Sequence, residues 1–130
     1  MQSRTFRLNK LVRDKIVETT EAAGGTVEYR ILEQQELLDA LYAKLDEEMT
    51  ELKEGSEPNL EKLADIREVI DAIAVQLGHR KLELDSVQYD KRRKAGGFAA
   101  GRFVETVTLP ADHEWAQYYA ADPERFPEVE

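Results

Sequence analysis

QQELLDALYAKLDEEMTELKE, residues 34–54, and NLEKLADIREVIDAIAVQLG, residues 59–78, are separated only by Gly55-Ser56-Glu57-Pro58, and together they decide the fold. In the first stretch Leu37, Leu38, Leu41, Leu45, Met49 and Leu52 recur at three- and four-residue steps, the stripe of an amphipathic helix. In the second, Asn59 sits where an N-cap belongs. Leu60, Leu63, Ile66, Ile70, Ile73, Ala74 and Leu77 then carry a helix to Gly78. Gly55 to Pro58 breaks the pattern, and so short a connection favours antiparallel neighbours. The expectation is a helical hairpin.

Working outward, Leu11, Val12, Ile16, Thr20 and Ala23 predict a helix over about Asn9 to Ala23, ended by Gly24-Gly25 through positive φ. Val27, Tyr29 and Ile31 alternate with Thr26, Glu28 and Arg30, the period-two pattern of a half-buried strand. Phe103 to Leu109 alternates similarly and is its best partner. A further helix is expected from Glu83 to Ala95, ending in the basic run Lys91 to Lys94, where cations suit the helix dipole. A short helix behind Asp112 presents Trp115, Tyr118 and Tyr119 as a face on which the tail docks, before Pro123 and Pro127. The fold class is therefore mainly α: an antiparallel helical bundle with a minor two-stranded β element. Residues 1–109 form the principal domain and 110–130 a C-terminal tail with a short aromatic helix.

Composition narrows the function. The chain has 130 residues, 42% hydrophobic and 35% charged, about the size of one domain with one core. Eighteen basic against 27 acidic residues give a net charge of −9, which repels nucleic acid polymers and anionic membranes. There is no cysteine, hence no disulfide, thiolate metal site or cysteine nucleophile. The start, MQSRTFRLNK, lacks the apolar centre of a signal peptide, and a cytoplasmic location is expected. His79 and His113, without neighbouring His or Cys, do not read as zinc ligands.

The acids are placed suggestively. Glu48 lies three residues after Leu45 and four before Leu52, so it emerges at the edge of the leucine stripe, with Glu51 one turn further on. Two carboxylates converging beside a core require a compensating cation, either a metal or a basic side chain. On the next helix Glu61, Asp65 and Glu68 form an acidic line that continues into Val69, Ala72 and Val75. The acids therefore stand at the mouth of a buried groove. If the hairpin sets Glu48 and Glu51 opposite Asp65, the cluster is an all-oxygen one that suits Mg²⁺, with Mn²⁺ as a substitute, better than Zn²⁺.

Four blocks in order, Asn9-Lys10-Leu11-Val12-Arg13-Asp14-Lys15-Ile16, Lys44-Leu45-Asp46-Glu47-Glu48 with Glu51, Leu63-Ala64-Asp65-Ile66 with Glu68-Val69-Ile70, and Gly96-Gly97-Phe98, resemble the all-α nucleoside triphosphate pyrophosphohydrolases of the MazG-like superfamily. The likeness is to the phosphoribosyl-ATP pyrophosphohydrolase-like branch and covers about residues 6 to 109. It implies Mg²⁺-dependent hydrolysis of the α–β anhydride of a nucleotide, canonical or modified, to a monophosphate and pyrophosphate. Glu48, Glu51 and Asp65 would be metal ligands and Glu47 would align water from a different side of the helix. The family's E-x-x-E…E-x-x-D pattern is broken at its third carboxylate, where this chain has Lys62. An ammonium there competes with the metal, so Glu61 or Glu68 substitutes or binding weakens. Phosphate contacts are expected from Lys10, Arg13, Lys15, Lys44, Lys91, Arg92 and Lys94. A helix apolar on both sides predicts a homodimer or higher homo-oligomer. Two other readings are a noncatalytic helical nucleotide-binding or interaction module that lost metal chemistry through Lys62, and a phosphoribosyl-ATP pyrophosphohydrolase.

Overall fold

The computed structural model describes residues 2–55 and 59–130, and it is mainly helical. Among the described residues the elements are α1 (Ile16–Ala22), α2 (Gln34–Glu54), α3 (Leu60–Gln76), α4 (Lys81–Ala95) and α5 (Glu114–Ala120). Among the described residues no helix is long and apolar enough to cross a membrane. By its own contacts the chain divides into two units, Met1–Lys94 and Ala95–Glu130.

Local chemistry explains the helix ends. The Asn59 side chain accepts from the backbone N–H of Lys62 at 3.0 Å, capping α3. Beyond α3, Gly78 at φ +90° lets its own N–H reach Val75 O and the N–H of His79 reach Ala74 O, closing the orphan carbonyls of the last turn. Gly24 at φ +93° does the same for α1, with the Gly25 N–H on Thr20 O. The expected break at Ser56 to Pro58 lies outside the described residues; Gly55, just before it, already has extended backbone.

The first helix is shorter than the periodicity predicts. Asn9 occupies the left-handed region at φ +49°, and regular structure begins only at Ile16 behind an uncapped Lys15. Residues 10 to 15 remain irregular and send Lys10 and Arg13 across to the hairpin. The expected two-stranded element is absent among the described residues: neither 26–31 nor 103–109 is in a strand. Alternation requires one face to be covered. Tyr29, Ile31, Phe103, Val104 and Val107 are all exposed, so neither segment has a surface against which to order.

Within Met1–Lys94, among the described residues, α2 and α3 are the helices that pack together. Leu41 on α2 and Val69 and Ala74 on α3 are the buried apolar side chains, and Glu48 is buried beside them. The face of α3 turned inward is not its most apolar one. Lys62, Asp65, Ile66, Val69, Ala72 and Ile73 are buried or half-buried, whereas Leu60 (81% exposed), Leu63 (52%), Ile70 and Leu77 stand open. Ion pairing with α2 selects the inward side. In the second unit Tyr118 and Tyr119 meet Phe126 of the tail, with ring centroids 5.8 and 4.9 Å away, while Trp115 stays outside that cluster and packs edge-on against His113.

Candidate functional site

Where the C-terminal half of α2 meets the first turn of α3, their charged residues interlock. Glu48 is 5% exposed, held there by its place on the leucine stripe between Leu41 and Leu52. A bare carboxylate so buried would suffer a large desolvation cost, and the chain supplies cations to meet it. The Lys62 ammonium, from the first turn of α3, donates to Glu48 Oε2 at 2.8 Å and Glu51 Oε2 at 2.6 Å, and lies 3.6 Å from Asp65 Oδ2. Lys44, one turn before Glu48 on α2, stands 3.4 Å from both Glu48 Oε1 and Glu47 Oε1. No buried side-chain nitrogen or oxygen is left without a hydrogen-bond partner among the described residues.

The segment before α1 closes the other side. The Lys10 ammonium donates to Glu47 Oε1 at 3.0 Å, and Arg13 Nη2 donates to Asp65 Oδ1 at 2.6 Å with Nη1 3.9 Å from Glu68. Five carboxylates (Glu47, Glu48, Glu51, Asp65, Glu68) thus meet four cationic side chains (Lys10, Arg13, Lys44, Lys62) in one network. Its charges are nearly balanced by the chain itself.

Electrostatics follow the geometry. The hydrogen bond from Lys10 holds the Glu47 carboxyl below the usual carboxylate range, with Lys44 adding to it. Its hydrogen bond to Glu47 raises Lys10 in turn. The Glu48 and Glu51 hydrogen bonds raise Lys62 well above the ordinary lysine value, so it stays an ammonium throughout the physiological range. The signs fix a window. Glu47, depressed in the folded chain, contributes stability above its ordinary 4.5 that is lost as pH falls through its folded value. Lys10 and Lys62, raised, contribute stability below their ordinary 10.5 that is lost as pH rises through theirs. Lys10→Met is expected to move the Glu47 titration upward toward 4.5, read by carbon-detected NMR of its side-chain carboxyl. An unmoved midpoint would mean that Lys10 does not hold Glu47 in solution.

One oxygen each of Glu47, Glu48 and Glu51 lies within 4.8 Å of the others. Glu47 therefore does not stand on a different side from the cluster as the sequence reading has it; Lys10 and Lys44 draw its carboxylate round to join. Hard ions such as Mg²⁺ bind oxygens at about 2.0–2.1 Å in octahedral geometry, which places adjacent ligand oxygens about 3 Å apart and opposite ones about 4 Å. Three carboxylates are the donor type hard ions take, and their side chains would have to close in to reach one. The Lys62 ammonium is what stands in the way.

The structure brings together Glu47, Glu48, Glu51, Asp65, Glu68, Lys10, Arg13 and Lys44 of the residues picked from sequence. It does not bring Lys15, at the start of α1, or Lys91, Arg92 and Lys94, in the last turn of α4, into any ion pair with these acids. Sequence reasoning left the ion-pair partners open. Lys44 was within reach of it, since i+3 and i+4 acids on a helix pair habitually. Arg13 with Asp65, 52 residues apart, was not. No family model matches the chain, and no curated protein and no solved structure matches it.

Proposed function

We propose that this chain is a Mg²⁺-dependent nucleotide pyrophosphohydrolase that adds water across the α–β anhydride of a nucleotide, canonical or modified, giving a monophosphate and pyrophosphate. The observation that carries the reading is the convergence of Glu47, Glu48 and Glu51 on α2 with Asp65 facing them from α3, beside a patch of basic side chains. The likeness of four ordered sequence blocks to MazG-like pyrophosphohydrolases supports it. Glu47, Glu48 and Glu51 would hold the ion, with Asp65 and then Glu68 at its margin. Bound there, Mg²⁺ supplies charge neutralisation at phosphate oxygens and a more acidic water.

The chain's own groups do the rest. Lys10, Lys44 and Arg13 already stand among the acids and bind phosphate oxygens, with Lys15 and the Lys91, Arg92 and Lys94 run as outer contacts. A carboxylate held below its usual range is a weak proton acceptor, so Glu47 orients the attacking water by accepting its hydrogen bond rather than removing its proton. Asp65, whose Oδ1 accepts from Arg13 at 2.6 Å, is released to hydrogen-bond that water once phosphate engages the guanidinium.

The exposed row Leu60, Leu63, Ile70 and Leu77 supports a second part of the proposal: a cytoplasmic homodimer in which a second copy covers this face and completes a helical bundle.

The test is a panel of canonical and modified nucleoside triphosphates incubated with the protein, with Mg²⁺ or with excess chelator, and assayed for pyrophosphate. Release that requires the ion supports the hydrolase. The position of Lys62 favours one competing reading, a noncatalytic nucleotide-binding module: nucleotide retained by the protein without turnover anywhere in the panel would select it.

A further inference from the structure

Lys62 is at an unfavourable place for a lysine. It belongs to the first turn of α3, whose end of the helix dipole repels cations, and its backbone N–H is already engaged by the Asn59 cap. What holds the ammonium is therefore the acids it reaches, Glu48 at 2.8 Å, Glu51 at 2.6 Å and Asp65 at 3.6 Å. Its side chain is 19% exposed and Glu51 is 42% exposed, so the pocket opens to solvent along Glu51. The four-carbon stem can withdraw by rotation about its own bonds without moving the helix. Two of the carboxylates it holds, Glu48 and Glu51, are among the three whose oxygens lie within 4.8 Å of one another.

We infer that the Lys62 ammonium is a resident counter-ion that a divalent cation must displace, so that the free chain keeps its own acidic cluster closed and Lys62 sets the affinity for the ion. This rests on reading the cluster as the cation site of the hydrolase. It adds a regulation of that site: the ion and the ammonium exclude each other, and the ammonium driven out carries its charge toward the solvent side, where polyanions arrive. A protein with a vacant carboxylate cage would take up the ion in proportion to its concentration alone. Here uptake also has to overcome two charge-assisted hydrogen bonds.

The experiment titrates Mn²⁺ alone into the full chain and follows free ion by electron paramagnetic resonance, comparing wild type with Lys62→Met, Lys62→Gln and Lys62→Arg. Both neutral variants are expected to bind Mn²⁺ on the order of tenfold tighter than wild type or more. Lys62→Arg, which keeps a cation on a long stem, stays close to wild type. Equal affinity in all four chains overturns the inference. Should neither neutral variant fold, wild type decides: reductive methylation of Lys62, read by mass spectrometry, is slow in the free chain and accelerates several-fold at saturating Mn²⁺, and an unchanged rate overturns the inference. The outcome separates it from the hydrolase reading. Pyrophosphate release by wild type without tighter Mn²⁺ binding in the variants leaves the enzyme and removes the resident counter-ion; tighter binding without turnover on any nucleotide does the reverse.

Discussion

Glu48→Gln is expected to lower Mg²⁺-dependent pyrophosphate release on the order of 100-fold or more, the loss typical when a group that stabilises charge at the reacting centre is removed. Glutamine keeps the shape and most of the packing, so the effect isolates the charge. Glu48 is the buried member of the cluster, and it shares an ammonium with Glu51 and a second with Glu47. Without its charge, the carboxylates left to an incoming cation are Glu47, Glu51 and, at the margin, Asp65 and Glu68, all more open to solvent than Glu48. Lys62 and Lys44 at the same time lose an anion, so thermal stability falls as well. Circular dichroism of the variant at the assay temperature shows whether it is folded. A folded Glu48→Gln with wild-type turnover would place the chemistry elsewhere in the molecule.

The second large effect concerns the open side of α3. Leu63→Asp is expected to shift the assembly equilibrium by about a thousandfold toward separate or unfolded chains, the scale of burying an unpaired carboxylate, about 4 kcal/mol. In the single chain Leu63 is 52% exposed, and there an aspartate would change little. The substitution therefore discriminates sharply. Sedimentation velocity at micromolar concentration reads the outcome, and wild type should also melt at a temperature that rises with concentration. If the variant sediments and melts like wild type, the row Leu60, Leu63, Ile70 and Leu77 is not an interface between copies.

What could be read from sequence was the part decided by neighbours along the chain. The span of α2, the Asn59 cap and the glycine stops at Gly24 and Gly78 each depend on a few adjacent residues, and the structure has them as expected. That Glu48 turns inward followed from its angle relative to the leucine stripe, but its burial is more complete than that angle implied. The short connection left the meeting of Glu48 and Glu51 with Asp65 as a condition, and in the structure Lys62 bridges them. The face of α3 that packs inward was less legible. Hydrophobicity favours Leu63 and Ile70, but in one chain the electrostatic demand of a buried Glu48 brings Lys62 and Asp65 inward. The extent of α1 failed for a similar reason, because Lys10 and Arg13 make long-range ion pairs where helical turns are expected.

The Lys62–Glu48 contact also settles how the two rods align. Rows of leucine and isoleucine are tolerant of sliding, since one aliphatic side chain replaces another at little cost. Moving α3 along α2 by one helical turn would offer Ile66 to Glu48, leaving a carboxylate facing hydrocarbon and an ammonium stranded beside it. From Glu48 opposite Lys62, counting seven residues back along α2 and seven forward along α3 brings Leu41 level with Val69, and both are buried. An interaction of small net worth to folding thus acts as a key that admits a single alignment, and the placement of Glu47 and Glu51 relative to Asp65 inherits its definition from that selection.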